Sequence, residues 1–164
     1  MKARTFAVVL LVNCSLAFAH PAESRSRVLV RDERGCLLTS TQAVLLSRGR
    51  MAVPVSAYER LGLFVKREVK ARRVAIGIPD SDSGVWLYAG SHRARDFLHE
   101  EPAPTRHDTP VAVLRGGRFY ANASIMNRAF NDRFTTSWDG HTRTIILQRN
   151  MRFGQRPQKS NEGR

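Results

Sequence analysis

The fold is decided by the stretch AVLLSRGRMAVPVSAYERLG at residues 43–62, in which a hairpin leads directly into a helix. Two apolar runs flank the turn SRGR at 47–50, which predicts a β-hairpin. Pro54 has no N–H to donate to a strand, and its fixed φ suits the first turn of a helix. The segment SAYE at 56–59 has the form of a capping box, and Gly62 suits the left-handed residue that ends a helix.

A second stretch repeats this order further along the chain. It has a hairpin across RGGR at 115–118 and Asn122 in place to cap a helix, and Gly49-Arg50 matches Gly117-Arg118 at an offset of 68 residues. Further strands are predicted at 27–31, 64–65, 74–78, 85–88 and 142–148. The sequence therefore predicts an α+β fold made of antiparallel β-sheet units, each wrapped on a short α-helix, in two hairpin–helix–hairpin repeats.

The boundaries of these repeats follow from changes in composition. Repeat one is expected at about 27–98 and repeat two at about 111–149. Between them, HEEPAPTRHDTP at 99–110 holds three prolines and no apolar pattern, which predicts a linker. The tail at 150–164 is polar and basic without periodic apolar residues, and we expect it to be disordered.

The N-terminus has the pattern of a secretory signal peptide at 1–19. A cationic start precedes an uncharged apolar run, and Ala17-Phe18-Ala19 supplies small residues at a cleavage site. The apolar run is too short to span a bilayer, so we expect export to the periplasm or cell exterior with no transmembrane segment. Lipidation at Cys14 is the alternative. Cleavage leaves a polar leader at 20–26 and Cys36 as a lone cysteine, either buried or an exposed free thiol.

The order of these motifs resembles the N-terminal stalk domain of copper amine oxidases, a module found in tandem in many bacterial exported proteins. The residues that carry the resemblance are Gly49-Arg50, Val53-Pro54, Leu61-Gly62 and Val65 in repeat one, with Gly117-Arg118, Trp138-Asp139 and Thr142-Arg143-Thr144-Ile145-Ile146 in repeat two. The resemblance covers about 27–149. It implies a five-stranded antiparallel sheet wrapped on a helix, used as a spacer or docking module.

The resemblance does not imply copper chemistry. In the amine oxidases a separate catalytic domain holds the metal and a quinone made from an Asn-Tyr-Asp/Glu motif, and none of Tyr58, Tyr88 and Tyr120 lies in such a motif. The carboxylate pairs Glu100-Glu101 and Asp80/Asp82 fall in proline-flanked loops, where solvated residues are the simpler interpretation. With no nucleophile motif or phosphate-binding loop, we expect no enzyme activity, no catalytic residue, no cofactor and no metal site.

The histidines leave one alternative open. Four of them, His92, His99, His107 and His141, are spread through loops without metal-ligand spacing. Cleavage after Ala19 would make His20 the first residue, and a terminal amine with an imidazole chelates Cu(II). The alternative function is therefore a small periplasmic copper-binding protein that holds the metal through His20.

Positive charge is the strongest remaining feature, because the chain has 27 Lys and Arg but only 14 Asp and Glu, which gives a net charge of +13. The basic points are Arg25/Arg27, Arg48/Arg50, Lys66-Arg67, Lys70/Arg72-Arg73 and Arg93/Arg95, with Arg118 matching Arg50. A solvated outer surface is one interpretation, and docking on anionic cell-wall polymer or lipid headgroups is the other. Export and the lack of a groove-reading motif argue against nucleic acid.

The aromatic residues are expected to pack in the core and sheets in preference to forming a ligand platform. They are Trp86, Tyr88, Phe119, Tyr120 and Trp138. Together these features predict a non-catalytic exported stalk-type domain that acts as an adaptor or binding module of the cell envelope. Its partner would be an unknown envelope protein or an anionic cell-wall polymer.

Overall fold

The computed structural model describes residues 26–97 and 105–151. Within these ranges the chain is a mixed α+β fold with two mostly antiparallel sheets and two short helices. The predicted signal peptide at 1–19, the lipidation alternative at Cys14, and nearly all of the leader at 20–26 and the tail at 150–164 lie outside the described residues.

Twelve strands and two α-helices make up the described chain. They are β1 Ser26–Arg31, β2 Leu37–Leu45, β3 Met51–Pro54, α1 Val55–Arg60, β4 Phe64–Glu68, β5 Arg73–Gly77, β6 Gly84–Tyr88, β7 Arg93–Asp96, β8 Thr105–Arg106, β9 Ala112–Arg115, β10 Arg118–Asn122, α2 Ala123–Ala129, β11 Phe134–Asp139 and β12 Thr144–Arg149. A single 3₁₀ turn, Ser47–Gly49, links β2 to β3 in the hairpin that the sequence predicts.

The larger sheet has seven strands in the order β11-β12-β1-β2-β3-β10-β9. Its neighbours are antiparallel except β1 and β12, which run parallel with Arg27 opposite Thr144. Strands β3 and β10 also pair, so strands of both predicted repeats share this sheet. The separate five-stranded sheet around each helix that the resemblance implies is therefore not the observed arrangement. Each hairpin has an edge whose backbone groups need partners, and the other repeat supplies them.

The smaller sheet is an antiparallel meander in the order β4-β5-β6-β7-β8. Strands β4, β5 and β6 lie where the sequence predicts strands. In contrast, β8 falls inside the segment 99–110, so the prediction of a linker is wrong at Thr105–Arg106. Neither β7 nor β8 has the apolar run from which a strand is predicted. Strand β7 exposes most of its side chains, and β8 is a two-residue edge strand that pairs with β7 alone.

The two helices begin differently. The predicted capping box is wrong for α1, because the helix begins directly after Pro54 without a side-chain cap. The Glu59 carboxylate instead accepts two hydrogen bonds from Arg67, at 2.8 and 2.6 Å. The prediction for α2 is confirmed, since Asn122 Oδ1 accepts the Ser124 N–H at 3.0 Å.

One hydrophobic core draws on both sheets and both helices. Its largest fully buried side chains are Tyr58, Phe119, Phe130, Phe134, Leu61, Ile76, Leu87, Met126 and Leu147. The rings of Tyr58 and Phe134 lie 5.6 Å apart between centroids. At the edge of this core the Arg149 guanidinium donates to the carbonyls of Leu61 at 3.1 Å and Arg60 at 2.9 Å, which ties β12 to the end of α1.

Candidate functional site

The outward side of the smaller sheet gathers basic and aromatic side chains. Val74, Ile76 and Leu87 are buried, so alternate positions of these strands face away from the core. Among the side chains that the structure describes, the charged and aromatic ones at those positions form what we call the basic–aromatic face: Phe64, Lys66, Glu68, Arg73, Trp86, Tyr88, Arg93, Arg95 and Phe97. It holds four cations and one carboxylate.

Strand register brings these side chains into rows. Lys66, Ala75, Trp86 and Arg95 occupy successive strands at the same level. Side chains at directly opposite positions are neighbours on one face of an antiparallel sheet. Each ring of β6 therefore has a cation opposite it on a neighbouring strand, with Arg73 opposite Tyr88 and Arg95 opposite Trp86.

Ring contacts fix the positions of the cations. The Arg73 guanidinium carbon lies 4.5 Å from the Trp86 ring centroid, and that of Arg95 lies 5.8 Å from the Tyr88 ring. Both distances fall within the range of cation–π attraction. Arg73 also bonds to Glu68, and this hydrogen bond lowers the pKa of the Glu68 carboxyl. The guanidinium groups are thus held at the surface in defined places.

Two glycines make room for the ring at the edge of this face. The Phe97 ring lies 5.8 Å from Trp86 between centroids and covers the backbone of Gly77 and Gly84. A Cβ added at Gly84 would lie 2.2 Å from the nearest atom of that ring. Side chains at these positions would displace Phe97 from its contact with Trp86.

A second candidate site lies where the hairpin β2–β3 approaches α2. A mainly apolar cavity of about 410 Å³ is lined by Leu45, Met51, Trp138 and Ile145, with Arg50 and Arg143 among its polar lining. A basic cavity of about 230 Å³ shares Arg50 with it. We call the two together the Arg50 cavities. Their lining residues come from distant parts of the chain, so no local sequence motif predicts these cavities.

The aromatic residues divide between packing and exposure. Phe119 is 1% exposed, which confirms the packing prediction. Trp86 and Tyr88 are half-buried on the basic–aromatic face, and Tyr120 lines a groove of about 780 Å³ beside Arg118. The packing prediction is wrong for Trp138, whose side chain is 52% exposed because β11 is an edge strand and ends at the next residue.

The remaining candidate residues are not brought together. Asp80 and Asp82 lie exposed in the turn before β6, while Glu100, Glu101, His20 and His99 lie outside the described residues. Within 26–97 and 105–151 there is no group of three His, Cys, Asp or Glu side chains that would hold a metal ion. Cys36 is an exposed free cysteine, which decides between the two alternatives left by the sequence.

The chain matches no protein-family model, no curated protein and no solved structure. Among the helices of the described residues, none has the length and apolar character needed to cross a membrane.

Proposed function

We propose that this chain is a non-catalytic exported binding module that docks on an anionic polymer of the cell envelope through the basic–aromatic face. The observation that carries the proposal is the composition of that face, with four cations against one carboxylate and two guanidinium groups held over rings. Preorganised cations lose little side-chain freedom when they bind an anion.

The spacing of the face suits an extended polymer better than a single small anion. Neighbouring strands lie about 5 Å apart, and alternate residues of one strand about 7 Å apart. Arg93 and Arg95 are therefore spaced to contact successive acidic groups, and neither has an ion-pair partner among the residues that the structure describes. Ring faces beside them offer apolar contact to the sugar rings of an acidic polysaccharide.

The resemblance to the stalk domain supports the same class of function. Stalk domains serve as spacers or docking modules, and the order of motifs in the sequence is the feature that resembles them. The signal peptide predicted at 1–19 would place the module in the periplasm or at the cell surface, where anionic polymer is available. An envelope protein bound to the same polymer would then be the adaptor's partner.

The proposal is tested by the salt dependence of binding to polygalacturonate, an acidic polysaccharide, with uncharged dextran as the reference polymer. We expect retention on polygalacturonate alone, falling steeply between about 50 and 200 mM salt because counterions are released on binding. The double variant R93Q/R95Q should lower the slope of log K against log salt by about two.

The matched control is R34Q/R118Q, which removes the same charge from exposed positions in the β1–β2 turn and in β10. It should leave the slope unchanged. Equal losses in both double variants, or retention that does not vary with salt, would contradict the proposal. Anionic lipid vesicles serve as a third ligand, and binding to vesicles without binding to polygalacturonate would overturn the choice of polymer.

A further inference from the structure

The Arg50 cavities have an arrangement that the basic–aromatic face does not share. A mainly apolar cavity and a basic cavity adjoin each other, because Arg50 and Ser124 line both of them. Their combined size is in the range of sites for small organic molecules. A ligand that fills both would present an apolar group to one side and a polar group to the other.

The apolar cavity leaves large side chains open to water. Trp138 is 52% exposed and Leu45 is 50% exposed, and Met51 and Ile145 complete the wall. A ligand that covers them removes apolar surface from solvent, which favours binding. Thr136 also lines this cavity, but its hydroxyl oxygen is buried from solvent, so the apolar wall is what a ligand contacts there.

The basic cavity has positive charge that no carboxylate of the described residues compensates directly. Arg50 and Arg128 both line it, and the structure gives neither an ion pair within 26–97 and 105–151. Asp108 also lines it but pairs with Arg48, at 3.5 Å. Burial and the nearby Arg128 charge lower the pKa of His107, the imidazole in this cavity. An anion in this cavity would therefore be held by two guanidinium groups, with the Asp108 carboxylate at the rim paired to Arg48.

We propose that the Arg50 cavities bind a small amphiphilic carboxylic acid, with its carboxylate between Arg50 and Arg128 and its apolar group against Trp138. Guanidinium groups bind carboxylates through charge-assisted hydrogen bonds, and the wall of Trp138 and Leu45 selects an apolar group beside that head. An acid without the apolar group would leave the Trp138 wall uncovered, and an uncharged apolar molecule would leave Arg50 and Arg128 without an anion.

The test uses 4-phenylbutanoate as the probe and 4-phenylbutanamide as its uncharged counterpart. The chain has two tryptophans, so the variant W86F leaves Trp138 as the single tryptophan. We expect 4-phenylbutanoate to shift the Trp138 emission to shorter wavelength in a saturable way, because the ligand covers a half-exposed ring. The amide should bind at least about tenfold more weakly, the loss expected for one charge-assisted hydrogen bond.

Two charge-removing variants in the W86F background separate this site from the basic–aromatic face. R50Q/R128Q should weaken 4-phenylbutanoate binding by about tenfold or more and leave amide binding unchanged, whereas R93Q/R95Q should leave both unchanged. Melting curves confirm that each variant is folded. Equal affinity for acid and amide, or no emission shift, would overturn the proposal. A second copy of the chain occupies the cavity if the protein forms a dimer as its concentration rises and if dimer formation blocks probe binding. That result would also overturn the proposal.

Discussion

Substitution of Gly84 by alanine tests the packing that builds the basic–aromatic face. The added Cβ would lie 2.2 Å from one atom of the Phe97 ring and 2.6 Å from two others. The backbone of Gly84 does not have a positive φ, so alanine introduces no backbone strain there. The expected loss of stability therefore comes from the collision with Phe97, which must turn away from Trp86.

The size of the effect follows from two contributions. Overpacking of this kind costs about 1–3 kcal/mol of the free energy of unfolding. Within it, loss of the ring contact between Phe97 and Trp86 accounts for about 0.5–1.5 kcal/mol. For a chain of this length we expect the melting temperature to fall by roughly 3–10 °C.

A double-mutant cycle shows whether Phe97 is the cause. Denaturant unfolding is measured for the wild-type chain, G84A, F97A and G84A/F97A. With Phe97 removed, alanine at residue 84 should stabilise the chain by about 0.4–1 kcal/mol, because it reduces the freedom of the unfolded state without a clash. If G84A destabilises the F97A background as much as the wild type, Phe97 is not the side chain that collides with the added Cβ. The packing of Phe97 on Gly84 described above would then be contradicted.

Three further predictions concern other parts of the chain. The Tyr58 hydroxyl is buried without a hydrogen-bond partner among the described residues, so Y58F should raise the free energy of unfolding by about 1 kcal/mol; a loss of stability would show a missed partner. Burial and the Arg128 charge lower the pKa of His107, although the Asp108 charge acts in the opposite direction. The unfolded chain therefore binds a proton more readily than the folded chain, and the free energy of unfolding should fall as pH drops below about 6.5. H107Q should flatten that slope, and an unchanged slope would exclude His107 as its source. Native mass spectrometry of the exported protein with equimolar Cu(II) should give a mass that begins at His20 without copper, and one tightly held copper would favour the alternative function.

Local features of the fold were predictable from the sequence where chemistry acts over a few residues. The turn at 47–50 and the Asn122 cap depend on neighbouring residues, and both are confirmed. Strand β8 was missed because it has two residues and pairs only at an edge. The pairing of β3 with β10 depends on contacts between distant segments, which periodicity within one segment does not encode.

The candidate sites were less predictable than the strands. The sequence indicates the basic residues at Lys66, Arg73, Arg93 and Arg95, but their alignment with Trp86 depends on the register of four strands. Trp138 was expected to pack because tryptophan usually does, and only the position of β11 at the sheet edge leaves it exposed. Edge positions follow from topology, which the sequence left open.

Binding of anionic polymer at the proposed basic–aromatic face can be observed directly through the two tryptophan side chains, because Trp86 lies on that face and Trp138 does not. The indole N–H signals of Trp86 and Trp138 can be followed in a nitrogen–proton spectrum of the wild-type chain during titration with polygalacturonate. Binding at the basic–aromatic face should move the Trp86 signal in a saturable, salt-dependent way and leave the Trp138 signal in place. Movement of Trp138 alone, or of neither signal under conditions in which the polymer retains the protein, would contradict it.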